Sequence, residues 1–231
     1  MEHSNLNEER CQNSTLTIPT ATFLFGGFRS KTTYEYLPKD STTWQIGKTN
    51  ISNGFADGCA IALKSNQDIL LIGGSGCLGN DRILSFNVKD HTFYELPFVI
   101  NVGRFGHTCG YIPNTNKIMI AGGYRYSMSA STDKIFHELD STEILDTEVG
   151  SITMASPLNF KRVDHGTGIV TINGEDRLAV FGGKCDDIKL DSIEIYNTKM
   201  EKWEIADFKL KSPRNNFSAM TVKLSDVISY L

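Results

Sequence analysis

Several stretches of this sequence have residue types and spacings that could do chemistry. Gly74-Ser75-Gly76-Cys77-Leu78-Gly79 fits the G-x-G-x-x-G pattern after an apolar run. That pattern turns a chain tightly and aims a helix N-terminus at a pyrophosphate. Here it leads into Asn80-Asp81-Arg82-Ile83-Leu84-Ser85-Phe86, a turn and then a strand pattern, so no dinucleotide cofactor is expected. Gly182-Gly183-Lys184-Cys185-Asp186-Asp187 puts a lysine after paired glycines. It lacks the Ser/Thr and the upstream spacing of a phosphate-binding loop. His137-Glu138 begins a metalloprotease-like motif that needs histidine at position 141, where Ser141 stands. Cys77 and Cys185 follow glycine pairs in polar loops and read as exposed thiols. No Ser-His-Asp or paired-carboxylate arrangement is recognisable. The reading is a non-catalytic protein without cofactor or metal.

The elements that carry these residues repeat. An apolar run ending in Gly-Gly occurs four times: Phe23–Gly27, Leu70–Gly74, Ile118–Gly123 and Leu178–Gly183. The second glycines are 47, 49 and 60 residues apart. A bulky residue follows each pair, with another seven positions on: Leu37 and Trp44, Phe86 and Phe93, Leu145 and Ile152, Tyr196 and Trp203. Before the glycines come Arg104-Phe105-Gly106-His107 and Arg162-Val163-Asp164-His165. Phe55–Gly58 and Arg214–Phe217 are weaker copies. The recurrence of His107 and His165 in one column makes them architectural rather than metal-binding. Alternation such as Ile193-Glu194-Ile195-Tyr196 has the period of a strand, and no helical period is sustained. Each unit therefore predicts four short strands, A to D.

Together the columns resemble the kelch repeat, whose blades carry a double glycine, a Tyr-like position and a Trp-like one. The resemblance implies an all-β fold, a kelch-type β-propeller with four blades of four-stranded antiparallel sheet. Blades are expected at about 15–47, 55–97, 104–154 and 162–206, with a partial blade at 213–231 and a polar N-terminal tail over 1–14. Two arrangements stay open. Phe217–Val222 could complete the first blade and close a small ring, or the chain could be an incomplete arc of a larger propeller.

The resemblance also implies a loop face. In kelch propellers the B–C and D–A loops lie together and hold a ligand. In substrate adaptors of the family, an arginine opening strand A grips acidic peptides. The matching residues are Arg104, Arg162 and Arg214, joined by Arg29, Arg82 and Arg125 from B–C loops. The strand-A arginines Arg104, Arg162 and Arg214 could equally make structural hydrogen bonds between blades. Tyr126 in the long loop Tyr124–Glu138 and Lys184 in the last B–C loop complete the candidates. The implied partner is a protein or peptide, acidic in character, in a scaffold or substrate-recognition role. Ubiquitin-ligase receptors of the family carry a BTB region absent here, so that role would need another chain or a missing N-terminal part. The alternatives are a propeller enzyme or small-ligand binder using the central pocket, and a truncated copy without independent function. The copper constellation of galactose oxidase and the Asp-box of sialidases cannot be assembled from this sequence.

Bulk properties set the remaining bounds. The 231 residues are 40% hydrophobic, with a net charge of −4. That gives enough apolar material for a full core and no electrostatic reason to expect nucleic acid or a membrane surface. The N-terminus lacks the basic start and apolar stretch of a secretory signal. Five cysteines, an odd count without C-x-x-C spacing, indicate neither a disulfide framework nor a zinc site. The expectation is a reducing, cytoplasmic setting.

Overall fold

The computed structural model describes residues 4–50, 54–75, 80–129, 131 and 133–221. Among them every regular element is a β-strand. Four four-stranded antiparallel sheets, the blade unit of a β-propeller, make up the fold. Blade 1 is β1 (Ser14–Ile18), β2 (Ala21–Phe25), β3 (Thr33–Pro38) and β4 (Gln45–Lys48). Blade 2 is β5 (Cys59–Ala62), β6 (Asp68–Ile72), β7 (Ile83–Asn87) and β8 (Thr92–Glu95). In blade 3, β9 (Thr108–Tyr111) and β10 (Lys117–Ala121) are followed by a hairpin, β11 (Tyr124–Met128) and β12 (Lys134–Glu138). The blade resumes with β13 (Thr142–Asp146) and β14 (Ser151–Ala155). Blade 4 joins β15 (Gly166–Ile172) and β16 (Glu175–Phe181) to β19 (Ile193–Asn197) and β20 (Lys202–Ile205). Between them a short hairpin pairs β17 (Lys184–Cys185) with β18 (Ile188–Lys189).

The chain forms two compact units. Met1–His107 with Tyr124–His137 is the first, and Thr108–Gly123 with Glu138–Leu231 the second. Unit 1 holds blades 1 and 2, whose sheets share one core of Phe23, Phe25, Tyr34, Ile69, Leu71, Phe86 and Phe93. Unit 2 holds blades 3 and 4, which share a core of Met119, Ala121, Leu158, Leu178, Val180, Tyr196 and Trp203.

The seven-residue spacing now has a geometric cause. Phe86 lies opposite Phe93, Leu145 opposite Ile152 and Tyr196 opposite Trp203 across the C–D hairpins. Each pair is a cross-strand couple on one face of its sheet. In blades 2 and 4 that face packs on the preceding blade of the same unit.

The glycine pairs mark where one repeat meets the next. The first glycines of the four pairs have φ of 55–63°. A Cβ on Gly26 would lie 1.7 Å from the Phe55 carbonyl oxygen, and one on Gly182 would lie 2.7 Å from that of Arg214. Only glycine tolerates both the backbone angle and the approach. The second glycine donates its N–H to the same carbonyl: Gly27 to Phe55, Gly74 to Arg104, Gly123 to Arg162 and Gly183 to Arg214. Two residues after that carbonyl, Asp57, Gly106, Asp164 and Asn216 all take positive φ, as Gln12 does before β1.

Residues 214–221 therefore begin a fifth repeat against blade 4. They carry its carbonyl and its left-handed turn, and they run along β15. The Ile169 N–H donates to Thr221 Oγ1 at 2.7 Å, and a Cβ on Gly166 would meet the Ala219 side chain at 2.8 Å. The expected continuation from Val222 onward lies outside the described residues.

One expectation is corrected. Cys59 on β5 is disulfide-bonded, as is Cys109 on β9, while Cys11 and Cys185 are free thiols. Spacing along the chain does not reveal which cysteines bond in the folded chain. The cysteine count therefore carries no argument for a reducing compartment. No helix among the described residues is long and apolar enough to cross a membrane.

Candidate interaction surface

The strand-A arginines are the first test of the expected site. Arg162 and Glu194 form an ion pair at 3.0 Å, and both side chains are fully buried. Every arm of the guanidinium is committed. Nε donates to Glu194, Nη1 to the Gly182 and Ser192 carbonyls, and Nη2 to Ser192 Oγ. Asn159 completes the cage by donating to Glu194 Oε2 and to the Trp203 carbonyl. The network ties the segment before β15 to β19 of the same blade. Arg104 is buried as well.

A network of the same plan, with Glu8 as an added partner, exists in the stretch expected to be a polar tail. Arg10 pairs with Glu35 at 2.9 Å, both side chains fully buried, and donates to the Gly26 carbonyl. Asn7 takes the role of Asn159, reaching Glu35 Oε2 and the Trp44 carbonyl. The Glu35 carboxyl is pushed up by its burial. The N–H groups of Asn7 and Glu8 and the Arg10 guanidinium outweigh that and hold it below the ordinary glutamate value. A signal was present: Asn-x-x-Arg occurs at 7–10, 101–104 and 159–162, with a strand-C glutamate at 35, 143 and 194.

The remaining candidates lie on loops. Arg29 is exposed and bonded to Glu9. Arg82 reaches Glu95 at 2.8 Å. Arg214 is exposed, with Nε donating to the Ser212 carbonyl at 3.3 Å. Lys184 Nζ donates to Asp187 Oδ1 at 2.9 Å. The β17–β18 hairpin that carries Lys184 also gathers acids. Glu138, Cys185 and Asp186 bring ligand-type atoms within 4.8 Å of one another, and the Asp186 N–H donates to Glu138. Burial, Asp186 and Glu138 push the Cys185 thiol up, so it is held protonated rather than activated. Burial also raises Asp164 nearby, with Lys184 opposing the shift and Glu138 adding to it. The glycine-rich stretch over 76–79, Cys77 included, lies outside the described residues.

Arg125 and Tyr126 are the two candidates that share one element, the β11–β12 hairpin. Its two strands form a sheet of their own. On one face, Tyr124 stacks on Phe105 with ring centres 5.5 Å apart, and Phe136 packs edge-on against both. Lys134 Nζ sits 4.6 Å over the Tyr126 ring on that face. The Ser127–His137 hydrogen bond of 2.8 Å marks the other face. Met128, Ile135 and Phe136 are 56%, 45% and 57% exposed. Met128 and Phe136 share the Tyr124 face and Ile135 lies on the other, and exposed apolar side chains of this kind mark an interaction site. Phe136 lies within the Tyr124–Glu138 loop but is not among the Tyr, Arg and Met residues that mark it in the sequence, and Phe105 lies in the strand-A column with no signal joining it to that loop.

No family model matches the sequence, and no curated protein matches it.

Proposed function

We propose that this chain is a kelch-type interaction module without catalytic activity, which binds a protein or peptide through its B–C loop hairpins. The kelch reading is supported by the glycine pairs at the repeat junctions and the cross-strand couples seven residues apart. The observation that carries the function is the β11–β12 hairpin, which holds Met128, Ile135 and Phe136 in solvent beside Arg125 and Lys134. Aromatic, methionine and arginine side chains on a defined scaffold are the usual anchors of a contact surface. A scaffold or substrate-recognition subunit is the matching class of role.

Arg104 and Arg162 are poor probes of this function, because both are enclosed within the fold. The informative variant replaces residues 125–137 with a short turn and leaves the four blades intact. Affinity capture with the full chain should recover proteins that the hairpin-less chain fails to recover, at unchanged melting temperature. Equal recovery by both chains would remove the hairpin as the binding surface.

A further inference from the structure

We infer that the outer edge of β11 accepts an extended peptide as an added antiparallel strand, apolar at alternate positions and acidic between them. This rests on the interaction reading above and supplies the binding mode. Tyr124 exchanges both backbone hydrogen bonds with Phe105, at 2.7 and 3.0 Å, on the side of β11 away from β12. A strand alternates the side to which its backbone groups point. Tyr126 and Met128 therefore aim their N–H and C=O outward like Tyr124, whereas Arg125, Ser127 and Ser129 face β12. The Ser129 N–H confirms that parity by donating inward to the Asp133 carbonyl.

Phe105 starts an outer strand that, among the described residues, the chain itself does not continue. The preceding Arg104 turns away, with its N–H donating to the Asn80 carbonyl. An added strand antiparallel to β11 would extend the line that Phe105 begins, with its C-terminal end toward Phe105. Its apolar residues would cover Tyr126, Met128 and Phe136. Residues of the other parity would stand beside Arg125 on the opposite face. That exposed cation sets the acidic preference. Main-chain bonds then give affinity, and alternate side chains give selectivity. The β17–β18 hairpin of blade 4 offers no such edge, being two residues per strand.

The probe is a fluorescein-labelled nonapeptide alternating valine with glutamate, titrated into the full chain and followed by anisotropy. Saturable binding is expected. Met128→Pro deletes one outward N–H and leaves the inward bonds of the hairpin, so it should weaken binding roughly tenfold. Arg125→Glu should weaken it further, and N-methylation of alternate peptide amides should abolish it. Tyr126→Leu should preserve binding within about threefold, because the ring is not what pairs. No saturable binding to the wild type, or equal binding by Met128→Pro, overturns the inference. So does sedimentation showing a wild-type dimer that Met128→Pro converts to monomer, since the edge would then serve a second copy. Should the hairpin-less chain lose its captured proteins while Met128→Pro retains them, the interaction reading stands and the added strand fails.

Discussion

Blades 2 and 4 have the same four strands and the same glycine pair, yet they fasten strand C to the segment before strand A with opposite chemistry. Blade 4 uses the buried ion pair Arg162–Glu194 and a cage of carbonyls. Blade 2 has Phe55 in the arginine column and Leu84 in the glutamate column, both buried in one apolar cluster. The columns are equivalent by register. Leu84 lies opposite Leu71, as Glu194 lies opposite Val180. The two members change together, so one structural task has two self-consistent solutions and mixed pairs are the costly state. A buried pair exchanged for well-packed apolar residues is often neutral, whereas removal of one partner costs about 3–5 kcal/mol.

The largest expected effect comes from making such mixed pairs. Glu194→Leu alone leaves Arg162 buried without its counter-charge and should lower unfolding free energy by about 3–5 kcal/mol. The double change Arg162→Phe with Glu194→Leu, which copies blade 2, should recover most of that loss. The mirror experiment in blade 2 is Phe55→Arg, rescued by adding Leu84→Glu. Denaturant midpoints of the four chains measure the coupling. Additive losses would show that the two positions do not act as a unit.

The second contrast sets Trp203 against Trp44. Both follow a strand-C residue by seven positions, and both have a carbonyl bonded by the asparagine of the lock. Trp203 is buried in the core shared by blades 3 and 4, while Trp44 is only half-buried. Trp203→Ala should cost about 3–5 kcal/mol. Trp44→Ala should cost about 1–2 kcal/mol, because less apolar area leaves water when the chain folds. Thermal melts of the two variants compare them directly, and equal losses would mean that burial does not decide the difference.

Much of this was legible in the sequence, and what was not has a common physical cause. The glycine pairs and the aromatic couples are local features. A glycine forced to positive φ, or a couple across a hairpin, is set by neighbours a few residues away. The arginine column was visible as well, but its role was not. Whether Arg162 faces a partner or a buried glutamate depends on Glu194, which lies 32 residues on. The Arg10 copy hid in a stretch whose polarity reads as solvent-exposed, because a satisfied buried ion pair has the composition of a surface. The Phe105–Phe136 contact is likewise long-range, and no period marks it.

Smaller effects sharpen the account of the glycines. Gly26 and Gly174 both have positive φ, at 61° and 79°. A Cβ on Gly26 would strike the Phe55 carbonyl, whereas nothing lies within 4 Å of one on Gly174. Gly26→Ala should therefore cost about 2–4 kcal/mol from strain and collision together. Gly174→Ala should cost about 1 kcal/mol from strain alone. Equal melting temperatures for the two variants would mean that the junction yields, and that the glycine column is not set by the approach of the next repeat.

The smallest effect is a slope rather than a loss, and it returns to the contrast between polar and apolar locks. The Glu35 carboxyl is held below the ordinary glutamate value in the folded chain. A lowered folded value means that the unfolded chain binds protons more readily as the medium turns acid. The stability contributed by this group is present above the unfolded value. It is lost as pH falls through the lower folded one, in a window opening near the ordinary glutamate value of 4.5. Glu8 titrates in the same direction, chiefly because Thr33 Oγ1 donates to its carboxylate and Arg10 lies beside it. Replacing the blade 1 lock by the blade 2 set, Arg10→Phe with Glu35→Leu, removes the titrating carboxylate along with its cation. Denaturant midpoints taken from neutral pH down through this window should then fall less steeply for the double variant than for the wild type. If the two slopes coincide, the acid sensitivity of the fold arises elsewhere, and the polar locks contribute to it no more than the apolar one.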